Sequence, residues 1–210
     1  MPPLTTIQHD ALIEIFNISL GRAAAALGKL VKAEIIMRVP SYKFLSLTAA
    51  AEQLNGMAKH HICGVSQRFE GLFAADIILM FPEERSLEIV HMMLDNDSYS
   101  LSELSELEQE AMSEIGNIII NACVATIANI AGEHFSSTLP IFRRGSSMDI
   151  LKAATSTSDE GVLFVYIDFN IMQHQITGYL AFMMSIQSVA GLVQTINRFL
   201  QPISQDSAVQ

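Results

Sequence analysis

Apolar residues recur at three- and four-residue intervals through the first thirty positions. Leu12, Phe16, Leu20, Ala23, Leu27 and Leu30 line one side of a helix predicted over about 6–31. The other side carries Asp10, Glu14, Asn17 and Gly21 at i, i+4, i+7 and i+11. A second long helix, predicted over about 106–131, places Glu110, Glu114, Asn117 and Asn121 at the same intervals. Elsewhere the period changes. The runs 62–69 and 72–80, and again 161–169 and 176–184, are rich in β-branched and aromatic residues and lie close enough to pair as hairpins. A strand is expected near Pro40 and Pro140, each followed by a less regular segment. Apolar helix-like segments at 86–94 and 187–199 close the two series.

The two series are one pattern read twice. At an offset of 100 residues Thr5 falls on Ser105, Glu14 on Glu114, Asn17 on Asn117 and Pro40 on Pro140. Ile62, Val65 and Phe69 fall on Val162, Val165 and Phe169. The register then drifts, as loop insertions would cause, and Gly71-Leu-Phe-Ala74 resembles Gly178-Tyr-Leu-Ala181. Helices flanking hairpins predict an α/β fold, layered in the α+β manner around a largely antiparallel sheet. Two pseudo-symmetric repeats, about 1–97 and 98–200, are expected to join into one continuous domain. Residues 95–100 read as the connector and 201–210 as a flexible tail.

Composition narrows the function. The 210 residues carry a formal net charge of −10, so nucleic acid is not expected as a partner. Cys63 and Cys123 stand far apart with no CxxC, which suits a reducing compartment, and Cys123 reads as a core residue. The six histidines show no metal-ligand spacing, so no metal site is predicted. Residues 169–197 lack Asp, Glu, Lys and Arg, but glutamines interrupt the run and it reads as buried core, not a membrane span. No secretory leader pattern is read at the start, and a cytoplasmic location is expected.

A polar stripe on one surface helix is ordinarily a solvated face. Here the stripe includes asparagine, a poor helix-interior residue, at the same place in both repeats. A glutamate precedes it by three positions, and 22 residues separate it from a proline. Those prolines read as architectural, at a strand edge or end.

Asp10-xxx-Glu14-xx-Asn17-x22-Pro40 and Glu110-xxx-Glu114-xx-Asn117-x22-Pro140 resemble the signature of the CheC–CheX–FliY family of response-regulator phosphatases, and the duplication resembles its CheC-like branch. Glu14-Ile-Phe-Asn-Ile18 and Glu114-Ile-Gly-Asn-Ile118 are similar to the family's EIGNI string. Two departures stand out: Glu110 takes a place usually held by Asp or Ser, and Phe16, where glycine is frequent, is expected to crowd the first site.

The resemblance implies hydrolysis of the aspartyl phosphate on a CheY-like response regulator. Glu14, Asn17, Glu114 and Asn117 would be catalytic, with Asp10 and Glu110 supporting. Asparagine would align the attacking water and glutamate would pair with the regulator's lysine. No cofactor belongs to the chain itself; Mg2+ would be carried by the phosphorylated regulator. A CheD-type receptor deamidase is a further implied partner. The alternative is a non-enzymatic flagellar-switch or chemotaxis-adaptor module that binds without hydrolysis.

Overall fold

The computed structural model describes residues 4–56, 61–93, 101–155, 161–171 and 174–206. The expected connector at 95–100 and residues 207–210 of the expected tail lie outside them. The elements follow as α1 (Thr6–Val31), β1 (Ile35–Arg38), β2 (Tyr42–Leu45), α2 (Leu47–Asn55), β3 (Ile62–Glu70), β4 (Ala74–Pro82) and α3 (Glu83–Met93). Then come α4 (Leu101–Ala131), β5 (Ser136–Ser137), β6 (Ile141–Gly145), α5 (Ser147–Ala154), β7 (Gly161–Ile171), β8 (His174–Met184) and α6 (Ile186–Asp206). The order helix, two strands, helix, two strands, helix therefore reads twice.

Local chemistry sets the ends of the helices. At the start of α1 the Thr5 hydroxyl accepts from the Gln8 N–H, and the Gln8 side chain accepts from the Thr5 N–H, satisfying two donors that the helix leaves open. The helix stops at Lys32, in the left-handed region at φ 52°; α4 ends one residue before Gly132, at φ 63°. Glycine takes that conformation without a Cβ clash, whereas Lys32 adopts it against a steric cost.

Two short helices replace segments expected to be irregular. The Ser46 hydroxyl accepts from the Ala49 N–H, and the Ser146 hydroxyl from the Asp149 N–H, each at 3.2 Å. These caps start α2 and α5, which are too short for an apolar period to emerge. α6 runs to Asp206, so the stretch expected to be a tail from 201 is helical to that point.

All pairings in the sheet are antiparallel. The order is β1-β7-β8-β4-β3-β5, with β2 also on β7 and β6 also on β3. The short strands of each half thus extend the hairpin of the other half: Met37 lies opposite Phe169, and Phe142 opposite Val65. The two hairpins meet at the centre, where Leu79 faces Leu180.

Alternate residues of each strand point to opposite faces. Val65, Leu79, Val165 and Phe182 pack with Leu12, Phe16, Ile115 and Ile119 of the long helices. Ile78, Met80, Phe164 and Met183 pack with Leu54 of α2 and Ile150 of α5. With both faces covered, the strands read as near-continuous apolar runs. The uncharged stretch 169–197 is accounted for by the end of β7, by β8 and by much of α6. The helical segments Thr6–Val31 and Glu106–Ala131 are long and apolar enough to cross a membrane by composition, yet half of each such window is buried inside this chain.

Candidate functional site

The buried side of α1 holds Leu12, Ile15, Phe16, Ser19, Leu20, Ala23 and Leu27; Leu30, expected to join them, is exposed. Anchoring that side fixes the opposite one. Asp10, Glu14 and Gly21 are exposed and Asn17 is half-buried. On α4, Glu110 and Glu114 are exposed, and Asn117 and Asn121 are half-buried. Each helix therefore presents its predicted stripe outward.

Phe16 does not crowd the first stripe. Its side chain is fully buried, with its ring 5.4 Å from that of Phe182 on β8. Its counterpart Gly116 serves the opposite need. A Cβ there would come within 2.5 Å of Val65, so glycine lets α4 lie close on β3.

Glu14, Glu110 and Glu114 have no ion pair or hydrogen bond among the described residues, and the Asp10 carboxylate lies 3.7 Å from the His9 imidazole. Uncompensated carboxylates on a folded surface favour an incoming cation. Beside the first stripe, the Tyr42 ring stacks on His9 at 4.7 Å. Burial raises the Tyr42 hydroxyl above its ordinary pKa, and the charge of Asp10 adds to the rise.

The two asparagines are held differently. The Asn17 side-chain oxygen accepts from the Val39 N–H at 2.8 Å. Val39 precedes Pro40, which biases it toward extended backbone. The 22-residue separation thus has a direct meaning in the first repeat: the proline follows the residue that fixes the asparagine. In the second repeat the Asn117 side-chain oxygen accepts from Asn121 Nδ2 at 2.7 Å and from Gln67 Nε2 at 3.4 Å. Asn121 Nδ2 also donates to the Asn117 backbone carbonyl at 2.7 Å, and Gln67 Nε2 to the Thr138 carbonyl at 3.1 Å. Leu139, the counterpart of Val39, is 84% exposed, whereas Val39 is 4% exposed. Both amide NH2 groups, on Asn17 and Asn117, lack a partner among the described residues.

The Val39 N–H, Gln67 and Tyr42 were not among the residues read from the sequence. Gln67 did leave a sign, since it is a polar residue in a strand whose neighbours are buried, and it is itself 3% exposed.

Away from the stripes, α4 carries one buried carboxylate. Glu108 accepts from the Ser86 hydroxyl at 2.8 Å, from the Cys63 thiol at 3.6 Å and from the Arg144 guanidinium. This ties α4 to α3, β3 and β6. Burial pushes the Cys63 thiol up to about 11 and that of Cys123 up to about 12, so neither is a ready nucleophile near neutrality. No group of three or more His, Cys, Asp and Glu converges among the described residues.

No family model matches the chain. It is 24% identical over 135 residues to the CheY-P phosphatase CheC of Bacillus subtilis (strain 168). That match covers 63% of this chain and 64% of the relative, less than two thirds of its length. In fold it resembles FliY of Thermotoga maritima, at 17% identity and a TM-score of 0.76, over 93% of this chain and 98% of that one. It also resembles a chain of the CheX–CheY–BeF3–Mg2+ complex from Borrelia burgdorferi, at 20% identity and a TM-score of 0.53, over 82% of this chain and 97% of that one. The mixed architecture of helices and antiparallel sheet is thus a shared one.

Proposed function

We propose that the chain is a CheC-like member of the CheC–CheX–FliY family and that it hydrolyses the aspartyl phosphate of a CheY-like response regulator. The observation that carries this reading is the Asn17 carboxamide. It is fixed from behind by the Val39 N–H and sits one turn from an exposed Glu14, unpaired among the described residues, on an outward helix face.

Such a face suits a substrate that is already activated. In an acyl phosphate the bond between phosphorus and the aspartyl oxygen breaks as water bonds to phosphorus, and the carboxylate leaves. The water's proton passes to phosphate or solvent. Positioning and electrostatics supply most of the catalysis in such a transfer. The carboxamide oxygen of Asn17 has two lone pairs, of which Val39 uses one. The second can accept a hydrogen from the attacking water, while the NH2 group donates to a phosphoryl oxygen. Glu14 and Glu114 pair with the lysine of the regulator, and Asp10 and Glu110 add to the negative potential that draws it in. Pro40 and Pro140 are structural. The Mg2+ of the reaction belongs to the regulator. A CheD-type deamidase is a second proposed partner, to be tested by pull-down; no retention at high concentration would count against it. Both partners place the proposed action in the cytoplasm.

The test is the decay of phosphorylated regulators, screened across those of the host, with and without the chain. Acceleration by the intact chain and its partial loss in Asn17→Ala and in Asn117→Ala are expected. Tight binding with an unchanged phosphoryl lifetime would instead select the switch or adaptor module.

A further inference from the structure

We propose that Gln67 and Asn121 are positioning residues that hold the second pair in a resting arrangement, so that the first pair carries most of the turnover of the free protein. The inference rests on the hydrolytic reading above.

A water aimed at phosphorus turns a lone pair toward it and directs its hydrogens elsewhere, so it needs an acceptor. Asn17 keeps one oxygen lone pair for that purpose. Asn117 keeps none, because Asn121 and Gln67 both donate to its oxygen. The three carboxamides form a closed set, since Asn121 Nδ2 also approaches Gln67 Oε1 at 3.4 Å. Gln67 is buried on β3 and tied to the Thr138 carbonyl, so it holds its place.

The first repeat is an internal control. At the 100-residue offset Asn121 is replaced by Gly21 and Gln67 by Ile167, neither of which has a side chain able to hydrogen-bond. A Cβ on Gly21 would meet nothing within 4 Å, and among the described residues the Asn17 oxygen accepts from the Val39 N–H alone. Asn17 is then free to take the Val39 N–H, whereas Leu139 turns outward beside a locked Asn117. The lock has somewhere to open. Asn121 borders a groove of about 310 Å³ lined by Phe69, Val124, Ala125 and Phe135, into which its side chain can swing.

The experiment uses the full chain and a CheY-like regulator charged with acetyl phosphate, with Asn17→Ala as background so that only the second pair reports. Adding Asn121→Ala is expected to raise kcat by about five-fold, the factor that a barrier change of one neutral hydrogen bond supplies, with KM little changed. A purely structural role for Asn121 would lower activity instead. Should that variant fold poorly by circular dichroism, Gln67→Leu in the same background tests the same lock and is expected to raise kcat as well. A rate equal to or below that of Asn17→Ala alone, in a folded variant, overturns the proposal. If Asn17→Ala with Asn117→Ala still accelerates decay, the hydrolytic reading is what fails; if that pair is inert and the lock variants bring no gain, only the lock fails.

Discussion

One position in each long helix shows how residues three apart in sequence divide structure from chemistry. Phe16 and Gly116 occupy the same place between Glu and Asn, and each faces the sheet while the glutamate two positions earlier is exposed and the asparagine that follows is half-buried. Phe16 fills space against Phe182; Gly116 makes room for Val65. Phe16→Ala is therefore expected to cost about 3–5 kcal/mol of stability through the cavity it leaves. Gly116→Ala is expected to cost about 1–3 kcal/mol by overpacking, although alanine is the better helix former. Urea denaturation measures both, and a stabilised Gly116→Ala would show that α4 can lift from β3. The outward placement of Glu14, Asn17, Glu114 and Asn117 on their helices was legible in the sequence because asparagine recurs against its helix propensity on a polar face. The partners of those asparagines were not. A backbone N–H such as that of Val39 leaves no mark in the residue type, and Gln67 is 50 residues from Asn117, so only the fold brings them together.

Among the elements, the long helices and the hairpins were legible because their apolar periods persist over several turns or strand residues. The short helices α2 and α5 were not, since eight or nine residues give a period little room to show. Their sign was of another kind: Ser46 and Ser146 are helix caps at the same 100-residue offset as the asparagines. The anchoring of α4 was equally hidden, because a glutamate at 108 reads as one more surface charge. Glu108 is in fact wholly buried and paired with Arg144 of β6. Among the described residues, Arg144→Ala leaves that carboxylate with Ser86 and Cys63 as donors. The expected destabilisation is about 3 kcal/mol, the lower end for a broken buried pair because Arg144 is itself more than a third exposed. Thermal unfolding monitored by circular dichroism would register it, and an unchanged midpoint would show that Glu108 tolerates burial alone.

At the scale of the whole molecule, the halves exchange strands. β1 and β2 complete the sheet beside β7, and β5 and β6 complete it beside β3, so each hairpin depends on the other half for its outer neighbours. Separate chains of 1–97 and 98–210 are expected to lack fixed tertiary structure alone and to recover it on mixing, as read by near-ultraviolet circular dichroism. A half that folds by itself would contradict that dependence. The exchange also sets both polar stripes on one scaffold without making them identical. The repeat was visible in the sequence, but the strand exchange was not, because an offset between residues carries no information about which hairpin a strand joins.

In the proposed reaction the paired asparagines accelerate loss of the phosphoryl group. The most direct measurement is the half-life of a phosphorylated CheY-like regulator in the presence of the Asn17→Ala, Asn117→Ala double variant, folded as the parent is. The acceleration is expected to fall by on the order of 10²-fold, toward the regulator's own rate of decay. Acceleration undiminished from that of the intact chain would contradict it.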